Sequence, residues 1–240
     1  MVAEPSPDVF LLAIRCLDLT SLDESDTEEK IAALCERAVR HSVAAVCVYP
    51  RFVPLAKERT AGSVVRVAAV AGGFPDGMAT LERRGTEIRK ALDLGADEID
   101  TVLSPAADAQ AAGEIAASKE ACGARVMKVI LETGRLSTAE RIRHAALLAM
   151  RAGADFVKTS TGKIPAGATI PAARTMMEAA RDHRRETGRH AGIKVSGGIR
   201  KAEQAAEYIH LLERVLGPDW LTPDLFRIGA SALLDDLDLH

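Results

Sequence analysis

Aromatic side chains are scarce in this chain: one Trp, two Tyr and five Phe make up 3% of its 240 residues, against a hydrophobic share of 48%. Its core must therefore be aliphatic, filled by Ala, Val, Leu and Ile. Cysteines are few as well. Cys16, Cys35, Cys47 and Cys122 lie far apart without a CxxC pair, which reads as reduced thiols in a cytosolic protein rather than a disulfide framework. The six histidines (His41, His144, His183, His190, His210, His240) show no metal-ligand spacing, so no metal site is expected. No apolar run approaches the ~20 residues that span a bilayer. The opening residues, Met1 to Asp8, lack the charged and apolar stretches of a signal peptide. The expected location is cytoplasmic, with no membrane partner. With 31 basic and 34 acidic residues the net charge is −3, and no basic block stands out, which argues against a nucleic-acid partner. No linker rich in Pro, Gly or Ser divides the chain, so one domain over residues 1–240 is expected.

What is present is a regular alternation. Short β-branched runs near 11–18, 43–49, 65–71, 98–103, 125–132, 155–160, 192–196 and 226–230 read as strands. Helical patterns near 27–40, 52–60, 78–94, 108–121, 138–151, 169–187 and 201–215, and from about 231, lie between and after them. Eight strand–helix units in a chain close to the ~250 residues of an α/β barrel predict a single-domain (β/α)8 TIM barrel, since closing eight strands leaves no edge. Ser137–Glu140 and Asp26–Glu29 read as capping boxes at helix starts. Gly95 and Gly153, each followed by Ala-Asp, fall where a helix must end before the next strand.

Two of the strands each carry a lysine between apolar neighbours: Phe156-Val157-Lys158 and Ile193-Lys194-Val195. Side chains alternate between the faces of a strand, so Ile99, Thr101 and Leu103 oppose Asp100, and Met127, Val129 and Leu131 oppose Lys128. The same alternation sets Val157 and Thr159 against Lys158, and Ile193 and Val195 against Lys194. Four successive strands thus turn their apolar face to the helices and project Asp100, Lys128, Lys158 and Lys194 into the barrel. A buried ion pair explains one such lysine. Three inward lysines against one inward aspartate go further, because desolvating unmatched charge costs several kcal/mol per ion. Burial and a neighbouring ammonium both lower a lysine pKa, and a free amine attacks carbonyls to form Schiff bases. The roles that follow are one lysine as nucleophile, one carboxylate moving protons, and a second ammonium keeping the first partly deprotonated. Spacing leaves open whether Lys158 or Lys194 is the nucleophile. It also leaves open whether Lys128 is a third electrostatic partner or pairs with Glu132.

A second group of residues follows these strands. Thr161-Gly162-Lys163, Gly197-Gly198 and Gly229-Ala230-Ser231 end strands six, seven and eight. In such barrels a phosphate often binds at the loops after strands seven and eight, where glycines let backbone N–H groups approach its oxygens near a helix N-terminus. Ser231 adds a hydroxyl donor, and Lys163 and Arg200 add charge. A phosphorylated substrate is expected.

Taken together, Leu17–Thr20, Val46–Arg51, Gly95–Asp100, Lys128–Gly134, Ala154–Lys163, Lys194–Arg200 and Arg227–Ser231 resemble the 2-deoxyribose-5-phosphate aldolases, class I aldolases with the barrel fold. The resemblance covers nearly the whole chain in order. It implies that Lys158 forms the Schiff base, that Lys194 lowers its pKa, and that Asp100 serves in proton transfer. It implies reversible cleavage of 2-deoxy-D-ribose 5-phosphate into D-glyceraldehyde 3-phosphate and acetaldehyde, with no metal or other cofactor, because the imine nitrogen is the electron sink. It maps phosphate contacts onto Gly162, Lys163, Gly197, Gly198, Gly229 and Ser231, and it implies assembly as a homodimer.

The chain departs from the family in two places. Ala232 follows Ser231 where some members have a second serine, which implies one phosphate donor fewer. The chain also has no tyrosine after Tyr208, where some members end in a tyrosine that assists a proton step. Cys47 lies near the active face in this resemblance and reads as a buried structural thiol. Two other readings share the scaffold: a class I aldolase for another phosphorylated sugar, and a non-catalytic sugar-phosphate binding protein. The first differs in the donor it traps. The second predicts a replaced catalytic residue, yet Asp100, Lys158 and Lys194 are all present.

Overall fold

Eight parallel strands close into a barrel in strict chain order, β1 to β8, with β8 pairing back onto β1. The structure is a computed structural model and describes residues 7–105 and 108–237. In chain order the elements are α1 (Pro7–Arg15), β1 (Leu17–Thr20), α2 (Glu28–His41), β2 (Ala45–Val48), α3 (Val53–Arg59), β3 (Arg66–Val70), α4 (Leu81–Asp93), β4 (Glu98–Val102) and α5 (Asp108–Cys122). They continue with β5 (Val126–Ile130), α6 (Thr133–Leu136), α7 (Ala139–Arg151), β6 (Phe156–Lys158), α8 (Ile170–Thr187), β7 (Gly192–Ser196), α9 (Ala202–Leu216), β8 (Phe226–Ala230) and α10 (Leu233–Leu237). Residues 1–6, read above as lacking a signal peptide, and the closing residues 238–240 lie outside the described residues. No described helix is long and apolar enough to cross a membrane.

The (β/α)8 barrel expected from the alternation is present, with three local corrections. The run near 11–18 is not a strand: α1 takes up Pro7–Arg15 and β1 begins only at Leu17. Its apolar residues pack the helix against α9 rather than pairing in the sheet. Neither expected residue is the N-cap, and the residues three positions past the true caps, Lys30 and Arg141, are not the Glu or Gln of a capping box. Thr27 and Thr138, not Asp26 and Ser137, are the N-caps, and their side chains accept from Lys30 N and Arg141 N; Ser137 itself is left-handed, with φ 62°. A short helix, α6, also follows β5 where none was expected. Gly95 and Gly153 behave as read, with φ of 106° and 105° just past α4 and α7, a backbone region that side chains with a Cβ disfavour.

The apolar faces of the strands meet the helices in one aliphatic layer that includes Leu19, Val46, Val67, Ile99, Val129, Val157, Ile193 and Ile228. Burying each such side chain contributes about 1.5–3 kcal/mol. Inside the barrel the apolar filling is a small patch of Leu22, Cys47, Ala68 and Val70 on the β1–β3 side. Val102, Ile130 and Phe156 are also buried on the inward faces of β4, β5 and β6, and the charged residues between them position the site.

Candidate active site

Asp100, Lys128, Lys158 and Lys194 all project into the barrel as their alternation requires, each at most 2% exposed. Pairing sets Asp100 beside Lys128 and Lys158 beside Lys194 across adjacent strands. Asp100 is the hub. Its Oδ2 accepts from Lys158 Nζ and from Lys194 Nζ, each at 2.8 Å, and its Oδ1 accepts from Lys128 Nζ at 2.9 Å.

The expected balance of three lysines against one aspartate is incorrect. Asp18 on β1, Glu98 on β4 and Arg227 on β8 are equally buried in the same interior. Lys194 Nζ also donates to Asp18 Oδ2 at 2.5 Å. Lys128 lies 2.6 Å from Glu98 Oε2 and does not pair with Glu132. Arg227 bridges Asp18 at 2.6 Å and Glu98 at 2.8 and 3.1 Å. The interior therefore holds three carboxylates and four cations. Alternation contained the missing signal. Glu98 stands two residues before Asp100 and Arg227 two before Gly229, on the inward face in each case. Asp18 ends a run, Leu11 to Asp18, whose apolar residues fall on both faces of a strand, so alternation names no inward face for it.

The network treats its lysines unequally. Burial disfavours each ammonium. Around Lys194, Asp100 and Asp18 outweigh burial and raise its pKa; around Lys128, Asp100, Glu98 and Asp18 do the same. Lys158 touches only Asp100, through an oxygen it shares. Burial and the neighbouring Lys194 outweigh that contact and hold its pKa below the ordinary lysine value. The carboxylates move the opposite way, since the cations overcome the burial that would protonate them. Asp18 and Asp100 are held low, and Glu98 is lowered to about 2. Burial pushes the Cys47 thiol up, consistent with its reading as a structural thiol.

Above the network, at the C-terminal ends of the strands, a pocket of about 400 Å³ opens. Lys158 is the one lysine of the cluster that lines it, together with Gly162, Lys163, Gly197, Gly198, Arg200, Gly229 and Ser231. All six residues singled out as phosphate contacts thus gather at one mouth with the Lys158 amine. Gly229 is required there: a Cβ would come within 2.9 Å of Ser196 Cβ and 3.1 Å of Lys194 Cε. Lys163 donates to the Leu22 carbonyl and lies over the Tyr49 ring at 5.6 Å, so its charge stands at the rim. Glu132 and Thr161 together shape this loop. Glu132, 5% exposed and left-handed at φ 53°, accepts from Thr161 Oγ1 at 2.5 Å, and Thr161 Oγ1 in turn accepts from Lys163 N at 3.1 Å. A non-glycine residue with positive φ is held only where its surroundings over-determine it, and here the buried carboxylate supplies that constraint. Among the described residues no group of His, Cys, Asp or Glu is arranged to hold a metal ion.

A family model described as DeoC/LacD family aldolase matches residues 12–216. Among solved structures, the chain is 32% identical to a protein of Coccidioides immitis provisionally named deoxyribose-phosphate aldolase, with a TM-score of 0.83 over 98% of this chain and 87% of that one. A protein of Toxoplasma gondii with the same provisional name is 28% identical, with a TM-score of 0.86 over 96% of this chain and 93% of that one. A tetrameric deoxyribose phosphate aldolase of Aeropyrum pernix is 27% identical, with a TM-score of 0.77 over 98% of this chain and 97% of that one. The family match takes in β1 to β7 with the glycine loops after β6 and β7 and stops before β8, and the chain belongs to the DeoC/LacD family of aldolases.

Proposed function

We infer that this aldolase reversibly cleaves 2-deoxy-D-ribose 5-phosphate to D-glyceraldehyde 3-phosphate and acetaldehyde through a Schiff base on Lys158. The observation that carries this reading is the position of the Lys158 amine. It stands at the floor of the pocket, its pKa is lowered, and the loops bearing Gly162, Lys163, Gly197, Gly198, Gly229 and Ser231 surround the same mouth. The names of similar proteins support the choice of substrate.

The chemistry is balanced with these groups. The free amine of Lys158 adds to the C1 aldehyde, and the carbinolamine loses water to give an iminium. Asp100, hydrogen-bonded to both Lys158 and Lys194, carries the proton that leaves the nitrogen and the one that departs with the hydroxyl. The C3 hydroxyl then gives its proton to Asp100, the carbonyl forms at C3 as the C2–C3 bond breaks, and the bond's electron pair passes through C2 to the iminium nitrogen. D-glyceraldehyde 3-phosphate leaves and an acetaldehyde enamine stays on Lys158. Protonation at C2 and hydrolysis of the imine release acetaldehyde. Lys194, kept cationic by Asp18 and Asp100, holds the amine free and does not compete as a nucleophile.

Borohydride trapping with acetaldehyde, followed by peptide mapping, tests this. An ethyl adduct confined to the peptide bearing Lys158 is expected. No adduct on a folded protein, or one on Lys194, would overturn the reading. Trapping with dihydroxyacetone phosphate instead would identify an aldolase for a different sugar.

A further inference from the structure

Arg227 and Glu98 stand at the N-terminal ends of their strands, opposite the pocket, and neither lines it. They are nevertheless wired to it. Arg227 holds Asp18, Asp18 holds Lys194, and Lys194 shares Asp100 Oδ2 with Lys158. Lys128 joins Glu98 to Asp100 directly. The groups facing Lys158 come from every other strand except β3, whose inward Ala68 and Val70 carry no charge. They are Asp18, Cys47, Glu98, Asp100, Lys128, Lys194 and Arg227, with the Cys47 thiol neutral. Arg66 reaches Glu98 at 3.2 Å from a half-exposed position outside.

The ionisation of this interior is a counting problem. Charge buried without a partner is unfavourable, and three carboxylates neutralise three cations. A guanidinium does not deprotonate, so Arg227 permanently claims one carboxylate equivalent. Two equivalents remain for three lysines, and the lysine with the fewest carboxylate contacts is Lys158.

We propose that Arg227 is a positioning residue that keeps Lys158 in its free-amine form by occupying Asp18 and Glu98 from the closed end of the barrel. Glu98 acts in the opposite sense. This rests on the imine reading for its catalytic meaning but not for its test. Without the Arg227 charge, three carboxylates face three lysines and Lys158 holds its proton. Without the Glu98 charge, the cation surplus grows and Lys158 loses its proton more readily.

The test is the pH midpoint of Lys158 acetylation by trace acetic anhydride, read on its peptide by mass spectrometry without substrate. Arg227→Met should raise the midpoint by about one pH unit, a tenfold fall in free amine below it. Glu98→Gln should lower it by a similar amount, and Arg227→Lys, which keeps the charge, should leave it near the parent value. The pH profile of kcat/KM should move in parallel. Circular dichroism verifies the fold of each variant. Should Arg227→Met fail to fold, the Glu98→Gln shift carries the test, and an unmoved midpoint in folded Glu98→Gln overturns the proposal. Failure of acetaldehyde trapping in the parent protein would remove the imine reading while leaving these midpoints to stand or fall by themselves.

Discussion

Lys158 and Lys194 donate to the same oxygen, Asp100 Oδ2, each at 2.8 Å. Two ammonium groups cannot both be fully neutralised by one shared oxygen. Lys194 has Asp18 as a second partner and Lys158 has none, so the asymmetry between two lysines at equal depth comes from β1.

Replacing Lys194 by Leu should therefore raise the pKa of Lys158, because the like charge that lowers it is gone and Asp100 is left to Lys158 and Lys128. A raised lysine pKa leaves less free amine at every pH below it. The acid limb of kcat/KM should shift upward, with the largest loss near neutral pH. A rate-versus-pH profile that keeps its midpoint would remove Lys194 from this role.

Lys158→Ala should abolish acetaldehyde trapping and lower turnover by about 10³-fold or more, as expected for loss of a covalent nucleophile. The fold should survive, since its removal leaves three carboxylates facing three cations. Lys158→Met, which preserves most of the volume, should move the thermal midpoint by no more than ~5 °C, roughly 1–2 kcal/mol for a chain of this size. A much larger drop would show that the amine is structural.

Acid should weaken the protein steeply. Asp18, Glu98 and Asp100 have folded pKa values below their ordinary ones, so the folded state binds fewer protons than the unfolded chain in acid. Their stabilisation is complete above the ordinary carboxylate range, near pH 4–5, and is lost as pH falls through the lowered values. For Glu98, lowered from 4.5 to about 2, this contribution is on the order of 3 kcal/mol. Denaturant midpoints should fall below pH 4, where the carboxylates begin to hold protons. A flat profile to pH 3 would contradict the network.

Glu132→Gln should act on substrate binding. The carboxylate that accepts from Thr161 shapes the loop carrying Gly162 and Lys163, while the lysine network lies below it. KM for 2-deoxyribose 5-phosphate should rise about 10-fold, equivalent to one charge-assisted hydrogen bond, with kcat little changed. KM for unphosphorylated 2-deoxyribose should stay put; if both rise equally, the loop is not reading phosphate.

The charge pattern of β4 to β7 was legible from the chain alone. A strand has period two, so one lysine between apolar residues names its face, and Asp100, Lys128, Lys158 and Lys194 follow from the sequence alone. The barrel followed in the same way from eight alternations in a chain of suitable length. The run near 11–18 did not, because a short apolar stretch suits a strand or a buried helix equally. Its first residues are helical, and only its end, with Asp18, belongs to β1. What only the tertiary structure decided is which charges meet. Asp18 and Arg227 are 209 residues apart, and they touch because β8 closes onto β1. Local pattern assigns a side chain to the inside of a barrel, but its partner there depends on register around the closed sheet. That register made Lys158, and not its neighbours, the lysine short of a carboxylate.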